Sequence, residues 1–144
     1  MQASFKGRGE VSEKPVGMGA SIDLQDKEGK TEMIWASSCG HGRWRMAEKL
    51  VGMGASIDLQ HKEGKTALIW ASSCGHGEVA EKLVEMGASI DLQHKEGKTA
   101  LMQASFKGHG EVAEKLVGMG ARIDLQDKHG MTARDQPHKP YERF

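Results

Sequence analysis

The spacing of apolar residues changes within residues 64–93, and each change predicts a different element. A short apolar run from Ala67 to Ala71 follows Thr66, whose hydroxyl can accept a hydrogen bond from a free backbone N–H at a helix start. Apolar residues at positions 79, 80, 83 and 84 then share one face of a second helix. Gly75 and Gly87 suit the left-handed residue that ends a helix. This segment is predicted to form two short helices joined by a turn.

The residues after the second helix alternate in polarity. Ile90 and Leu92 are separated by Asp91, and residues 95–97 (Lys-Glu-Gly) are typical of a turn. We therefore expect an extended finger between one helix pair and the next. On the outer side of the second helix, Glu78 and Lys82 are predicted to form an ion pair one helical turn apart.

The whole unit recurs along the chain. Gly64, Gly97 and Gly130 follow one another at intervals of 33 residues, and residues 61–93 differ from residues 94–126 at only six positions. A fixed period of this length indicates a stacked repeat array. No single unit can cover its own apolar faces, so neighbouring units must bury them by stacking.

The repeat divides the 144 residues into five segments. Residues 1–25 are a truncated first unit, in which Pro15 interrupts the expected second helix. Residues 26–60 form a unit with a two-residue insertion, placed at positions 42 and 43, so that Trp44 stands opposite Gly77 of the next unit. Residues 61–93 and 94–126 are regular units. Residues 127–144 begin another unit and end in a polar tail, expected to be loose from Arg134 onward.

These units resemble the ankyrin repeat, in the order GKTALIWAS, GH and EVAEKLVEMGASIDLQ, over residues 1 to about 132. The resemblance implies an all-α, ankyrin-type helix-turn-helix solenoid with short β-hairpin-like fingers. Several residues depart from the family pattern. The usual Pro and His of the first helix are absent, and two apolar positions of the second helix carry glycine or lysine. The departures in the second helix, expected to weaken its packing, are Gly77, Gly110, Lys49, Lys82 and Lys115.

Charge argues against several classes of partner. The chain has 20 basic and 20 acidic side chains, interspersed and without net charge, whereas a nucleic-acid or anionic-membrane surface needs clustered Lys and Arg. It has no apolar run long enough to span a membrane, and its first residues lack the apolar core of a secretory signal. We expect a cytoplasmic or nuclear monomer that binds another protein and neither nucleic acid nor membrane.

Histidines and cysteines raise the question of metal or redox chemistry. The resemblance implies that His41, His76 and His109 tie loops together. His61 and His94 lie one repeat apart, too far to share a metal whose nitrogen ligands lie about 2.0–2.1 Å away. Cys39 and Cys74 occupy equivalent places in adjacent units, separated by about 8–10 Å of helix packing, which exceeds disulfide geometry and predicts free thiols.

No spacing typical of a catalytic or cofactor site occurs. The chain lacks CxxC, HExxH and GxSxG, and its glycine-rich segments lack the Gly-Lys-Ser/Thr ending of a phosphate loop. We therefore expect a non-catalytic protein with no metal site and no cofactor.

The resemblance implies a partner-binding concave face formed by finger tips and first helices. The residues it assigns there are Lys27, Glu28, Lys30, Trp35, Lys62, Glu63, Lys65, Trp70, Ser73, Lys95, Glu96, Lys98, Gln103, Phe106 and Lys107. Trp35 and Trp70 equally fit a core position. Near-identical tips also fit a solvated surface without a selected partner. Two further hypotheses stay open: a spacer within a longer array, and a metal- or redox-linked protein using Cys39, Cys74 and the histidines.

Overall fold

The computed structural model describes residues 23–39 and 44–136, and these form six α-helices and one short 3₁₀ helix. The helices come in pairs, each with a first and a second member. The bounds are α1 Glu32–Cys39, α2 Trp44–Gly52, α3 Ala67–Ser73, α4 Gly77–Glu85, α5 Ala100–Phe106, α6 Gly110–Gly118, and the 3₁₀ helix Ala133–Asp135. The all-α prediction is confirmed.

Each first helix starts at a threonine, as predicted from the sequence. The Thr66 hydroxyl accepts a hydrogen bond from Ile69 N at 3.3 Å, and the Thr99 hydroxyl accepts one from Met102 N at 3.2 Å. After α3 the chain turns at Gly75, whose φ is +83°, a left-handed conformation that costs glycine little. The following His76 N donates back to Ala71 O, which closes the turn between the two helices.

The core runs through the array as one cluster, because like helices stack on like. First helices α1, α3 and α5 pack in one layer, and second helices α2, α4 and α6 pack in another. Leu68, Ile69 and Leu83 are almost completely buried between these layers, as are their counterparts in the next unit. Stacking therefore supplies the apolar cover that a single unit lacks.

The second helices carry a lysine where the ankyrin pattern has an apolar residue, and the preceding unit leaves room for its side chain. A methyl group placed on Gly77 would lie 3.3 Å from Cδ and Cε of Lys115, so the lysine stem occupies the space above this glycine. The Lys115 ammonium then reaches Glu81 at 3.3 Å. The glycine and the lysine, each expected to weaken the packing, compensate each other between adjacent units.

Lys82 behaves differently because tryptophan replaces glycine beneath it. Its Nζ lies 4.8 Å from the centroid of the Trp44 ring and 3.7 Å from a carboxylate oxygen of Glu85. The predicted pairing of Lys82 with Glu78 is wrong, since the lysine lies over the previous unit and pairs with Glu85. Helix α2 is described from Trp44, and α4 begins at Gly77. The insertion at residues 42 and 43 stays a prediction, because these residues lie outside the described part of the chain.

The fingers, residues 26–30, 61–65, 94–98 and 127–131, are hydrogen-bonded turns. In the third finger His94 N donates to Lys98 O and Gly97 N donates to His94 O. No β-strand forms in residues 23–39 and 44–136, so the β-hairpin-like detail is not confirmed. Each finger is joined to the next by one backbone hydrogen bond, such as Lys95 N to Glu63 O at 3.0 Å.

The array is closed at its described C-terminal end by the short 3₁₀ helix. Thr132 and Asp135 cap each other, and Gln136 is buried, with its amide donating to Thr132 O at 3.1 Å. Residues 134–136 are therefore ordered against the last unit, contrary to the loose tail expected from Arg134. The truncated first unit with Pro15, and the tail from residue 137, lie outside the described residues. No helix in residues 23–39 or 44–136 has the length and apolarity to cross a membrane.

Candidate functional site

One side chain at the base of each finger accepts the hydrogen bonds of the turn. In the first finger Asp26 Oδ1 accepts from Glu28 N and Lys30 N, both at 2.9 Å. In the second, His61 Nδ1 accepts from Lys65 N at 3.1 Å and Glu63 N at 3.3 Å. His94 and Asp127 hold the same position in the third and fourth fingers. We call this residue the turn acceptor.

The turn acceptor also contacts a residue nine positions later, usually on the following first helix. Trp35 Nε1 donates to Asp26 Oδ2 at 3.3 Å, and the side-chain amide of Gln103 lies 3.0 Å from His94 Nε2. The ring of Trp70 packs edge-on against His61, with centroids 5.4 Å apart. The first three fingers are therefore each fixed to a first helix by a side-chain contact, and the fourth is fixed by Asp127 to Gln136 after the 3₁₀ helix.

Both turn-acceptor histidines must be neutral to do this. An imidazole nitrogen that accepts a backbone N–H bond carries no proton, which places the proton of the neutral ring on Nε2. At His94 this Nε2–H donates to the Gln103 amide, whose oxygen must therefore face the ring in place of its nitrogen. Burial is the main cause that lowers the pKa of His61 and of His94 below the usual value for histidine. At His94 the charges of Lys65 and Lys98 lower the pKa further, against the opposing charge of Glu96.

The carboxylate turn acceptors are held ionised by the same turn. Burial acts to raise the pKa of Asp26, but hydrogen bonds from Lys30 N, Glu28 N and Trp35 Nε1 outweigh it and lower the pKa on balance. Asp127 shows the same balance of causes, with the bonds coming from the backbone of Met131 and His129.

A row of lysines lies on aromatic rings beside the fingers. Lys30 Nζ is 4.7 Å from the ring centroids of both Trp35 and Trp70, and Lys65 Nζ is 5.0 Å from Trp70. Lys98 Nζ lies 4.3 Å from the Phe106 ring. These contacts hold the three ammonium groups at repeating positions along the array. We call the surface of fingers 26–30, 61–65 and 94–98 together with α1, α3 and α5 the finger face.

The residues assigned to partner binding differ in exposure. The tip residues are exposed, and so are Trp35, at 48%, and Lys107. Trp70 is half-buried and packs against His61 of the finger, so it has a structural role, while its part in partner binding stays a prediction. Gln103 is only 6% exposed and contacts His94, which gives it a structural role. The exposed tip residues are Lys27, Glu28, Lys62, Glu63, Lys95 and Glu96, and the half-buried residues are Lys30, Lys65, Lys98, Ser73 and Phe106.

The Gly-His histidines link consecutive units. His76 Nε2 lies 3.1 Å from Ser38 O, and His109 Nε2 lies 3.0 Å from Ser73 O, each in the preceding unit. His41 lies outside the described residues. The structural role that the resemblance implies is confirmed for the two described histidines.

The thiols and the remaining histidines are spread along the array. Cys74 is a free, exposed cysteine, as predicted, while the side chain of Cys39 is outside the described part. Over residues 23–39 and 44–136 there is no group of three or more His, Cys, Asp or Glu residues placed to hold a metal ion.

Two sets of linking side chains were missed by the sequence analysis. Asp58 accepts from Ser89 N and Ser89 Oγ of the next unit, at 2.9 and 2.7 Å. Gln93 Nε2 donates to Gly97 O in its own finger and to Gln126 O one unit on, at 2.7 and 3.0 Å. The aspartate and the glutamine recur in every copy of the motif Ile-Asp-Leu-Gln, and this recurrence is the sequence pattern that could have identified them.

A comparison with protein-family models gives one result. The family model described as ankyrin repeats in three copies matches residues 1–94 and 41–127. No curated protein matches the chain.

Proposed function

Because the chain belongs to the ankyrin repeat family, whose members are generally protein–protein interaction modules, we propose that it is a non-catalytic module binding another protein through its finger face. The family relation supports the class of function, and the finger face supports the location. Fold alone does not assign a partner.

The row of lysines on aromatic rings is the observation that carries this proposal. Trp35 is one of the largest exposed apolar side chains of the described residues, and it adjoins Lys30 and the ring of Trp70. Interfaces are enriched in aromatic anchors, which bury large area at a low cost in conformational entropy. In the second unit Lys65 lies on the half-buried Trp70, and in the third, where Gln103 takes the tryptophan position, Lys98 lies on Phe106.

Charge reversal on the finger face tests the proposal. Lys62→Glu with Lys95→Glu changes two exposed side chains whose backbone hydrogen bonds stay available. Arg45→Glu with Lys49→Glu makes the same change in charge on α2, away from the fingers. We expect a protein that copurifies with the wild-type chain to be lost with the finger variant and retained with the α2 variant. Once purified, this partner protein should bind the wild-type chain and the α2 variant but not the finger variant.

The alternative, a spacer without its own partner, is favoured by the identical tips of residues 61–65 and 94–98. It predicts that the two double variants retain the same set of copurifying proteins. Quantitative mass spectrometry of the bound fractions separates the two functions, provided that circular dichroism shows both variants to be folded.

A further inference from the structure

We propose that the finger face binds an extended acidic segment of another protein, in polyproline II conformation and with a carboxylate at every third residue. This inference rests on the proposed function, since it names the chemistry of the partner for the same surface. It is carried by the positions, charges and spacing of Lys30, Lys65 and Lys98.

The three lysines are held in place before any partner arrives. Each ammonium lies on one or two aromatic rings, and the side chain of Lys30 is only 18% exposed. Fixing a long side chain in advance reduces the entropy that binding would otherwise lose. The lysines therefore form a preorganised row of positive charge.

Two of these charges have no carboxylate partner. Lys30 pairs weakly with Glu28, at 3.9 Å, but within residues 23–39 and 44–136 no ion pair involves Lys65 or Lys98. Their charges still reach a neighbouring group, since both lower the pKa of His94. Anions would be attracted to this part of the finger face.

The second helices and the finger face differ slightly in charge. Helices α2, α4 and α6 carry six acidic and four basic side chains, whereas the finger face carries six lysines and five acidic side chains. The positive surplus of the finger face lies at fingers 61–65 and 94–98, each of which has two lysines and one glutamate. The acidic residues of α4 and α6 are Glu78, Glu81, Glu85, Glu111 and Glu114.

The distance between fingers sets the spacing of the ligand charges. Neighbouring units stack through packed helices, which lie about 8–10 Å apart, so the lysine row repeats at about that distance. Lys30 Nζ and Lys65 Nζ lie 4.7 and 5.0 Å from the centroid of the same Trp70 ring, which allows a separation of this size. A polyproline II helix rises about 3.1 Å per residue with three residues per turn, so every third side chain points the same way about 9.3 Å further on.

Prolines between the carboxylates would meet the aromatic rings. Polyproline II segments commonly dock on exposed aromatic side chains, because proline packs on flat rings and its chain is already stiff. Trp35 and the half-buried Trp70 offer such rings beside Lys30. A β-strand would instead turn every third side chain to the opposite face, which disfavours it here.

Two peptides of identical composition test the inference. The ordered peptide EPPEPPE places glutamate at every third residue, while the block isomer EEEPPPP has the same charge without the spacing. We expect the ordered peptide to bind the full chain at least tenfold more tightly than the block isomer, as measured by fluorescence anisotropy. Its affinity should decrease as the salt concentration rises. Equal binding of the two isomers, or no binding of either, would overturn the proposal.

Variants locate the binding and separate it from fold effects. Lys65→Met with Lys98→Met keeps the apolar stems on the rings and removes both charges, so we expect the affinity for the ordered peptide to fall at least tenfold. Arg45→Glu with Lys49→Glu should leave this affinity unchanged. Single-stranded DNA of equal charge that bound as tightly as the ordered peptide would make this a general polyanion surface and overturn the proposal.

The same peptide distinguishes this inference from the proposed function. If a protein depends on Lys62 and Lys95 for binding but is not displaced by the ordered peptide, the finger face is an interaction surface and the acidic partner is wrong. If it is displaced by the ordered peptide and not by the block isomer, both proposals stand.

Discussion

At residue scale, two imidazoles in the middle of the array perform the task that two carboxylates perform at its ends. Asp26 satisfies its turn with one oxygen and receives the Trp35 indole N–H with the other. His61 has only one accepting nitrogen, which the turn already uses, and Trp70 Nε1 stays buried without a hydrogen-bond partner. An unsatisfied buried donor costs stability, so His61 is a less complete turn acceptor than Asp26.

The histidine turn acceptors make stability depend on pH. Because their folded-state pKa values lie below the unfolded value of about 6.5, the unfolded chain binds more protons as pH falls through that value. The contribution of these two histidines to stability is therefore complete above about pH 6.5 and declines as the pH falls below that value. The charges acting on the two rings come from Glu28, Lys30, Glu63, Lys65, Glu96 and Lys98.

Replacing both histidines by aspartate tests this dependence. His61→Asp with His94→Asp copies the turn acceptors of the first and fourth fingers, whose lowered pKa values keep their contribution until strongly acidic pH. We expect the urea midpoint of the wild-type chain to decrease when the pH is lowered from 7.5 to 5.5. The midpoint of the double variant should decrease less. His61→Asp should also raise the free energy of unfolding by about 1 kcal/mol at pH 7.5, because Trp70 Nε1 obtains a hydrogen-bond acceptor. An equal fall in both proteins would contradict this account.

At the scale of single elements, the distance between fingers depends on glycine. Gly64 has φ +88°, and a methyl group on it would lie 2.9 Å from Lys95 N of the next finger. Gly130 has a similar φ of +78°, but a methyl group there would have nothing within 4 Å in the described part of the chain. Comparing substitutions at the two glycines separates the free-energy cost of a left-handed backbone from the cost of the close approach to the next finger.

Alanine substitution at these glycines should give unequal losses. Gly130→Ala is expected to cost about 1–2 kcal/mol, the usual penalty of a left-handed alanine. Gly64→Ala should cost more than this, because the adjacent finger must also move away from the added methyl group. Urea denaturation at pH 7.5 measures both. Equal losses would show that the close approach of Lys95 N adds nothing to the cost of the left-handed alanine.

The lysine over Gly77 provides a second test between units. We expect Lys115→Met to cost less than about 1 kcal/mol, because it removes a half-exposed ion pair with Glu81 but keeps the stem. Lys115→Ala should cost more, since it also uncovers the space above Gly77. Equal losses for methionine and alanine would mean that the charge, and not the packing of the stem, carries the interaction.

The helices could be predicted from sequence because their determinants are local. Thr66 caps its own helix, and Leu83 and Val79 lie on one face by helical periodicity alone. The role of Lys115 could not be predicted, since it depends on Gly77 of the preceding unit. The burial of Gln103 also depends on a contact nine residues away, with a turn acceptor whose function the sequence did not suggest.

At the scale of the whole molecule, stability comes from contacts between adjacent units. Like helices stack, fingers join through one backbone bond each, and side chains such as Asp58 and His109 reach into the neighbouring unit. In such an array every interface uses nearly the same residues, because the units are nearly the same. One unit can therefore replace another at an interface without new contacts.

Removal of one complete unit is the test of this interchangeability. Deleting residues 61–93 brings the third finger against the first, with His94, Lys95 and Gly97 taking the places of identical residues, and brings Lys115 over Trp44 in place of Lys82. We expect a folded chain that unfolds cooperatively in urea with a smaller m value, because less surface is exposed on unfolding. Deleting residues 61–88 removes fewer residues but leaves a joint out of register, and should abolish the cooperative transition. Equal damage by the two deletions would show that the units are not interchangeable and that stability depends on features unique to residues 61–93.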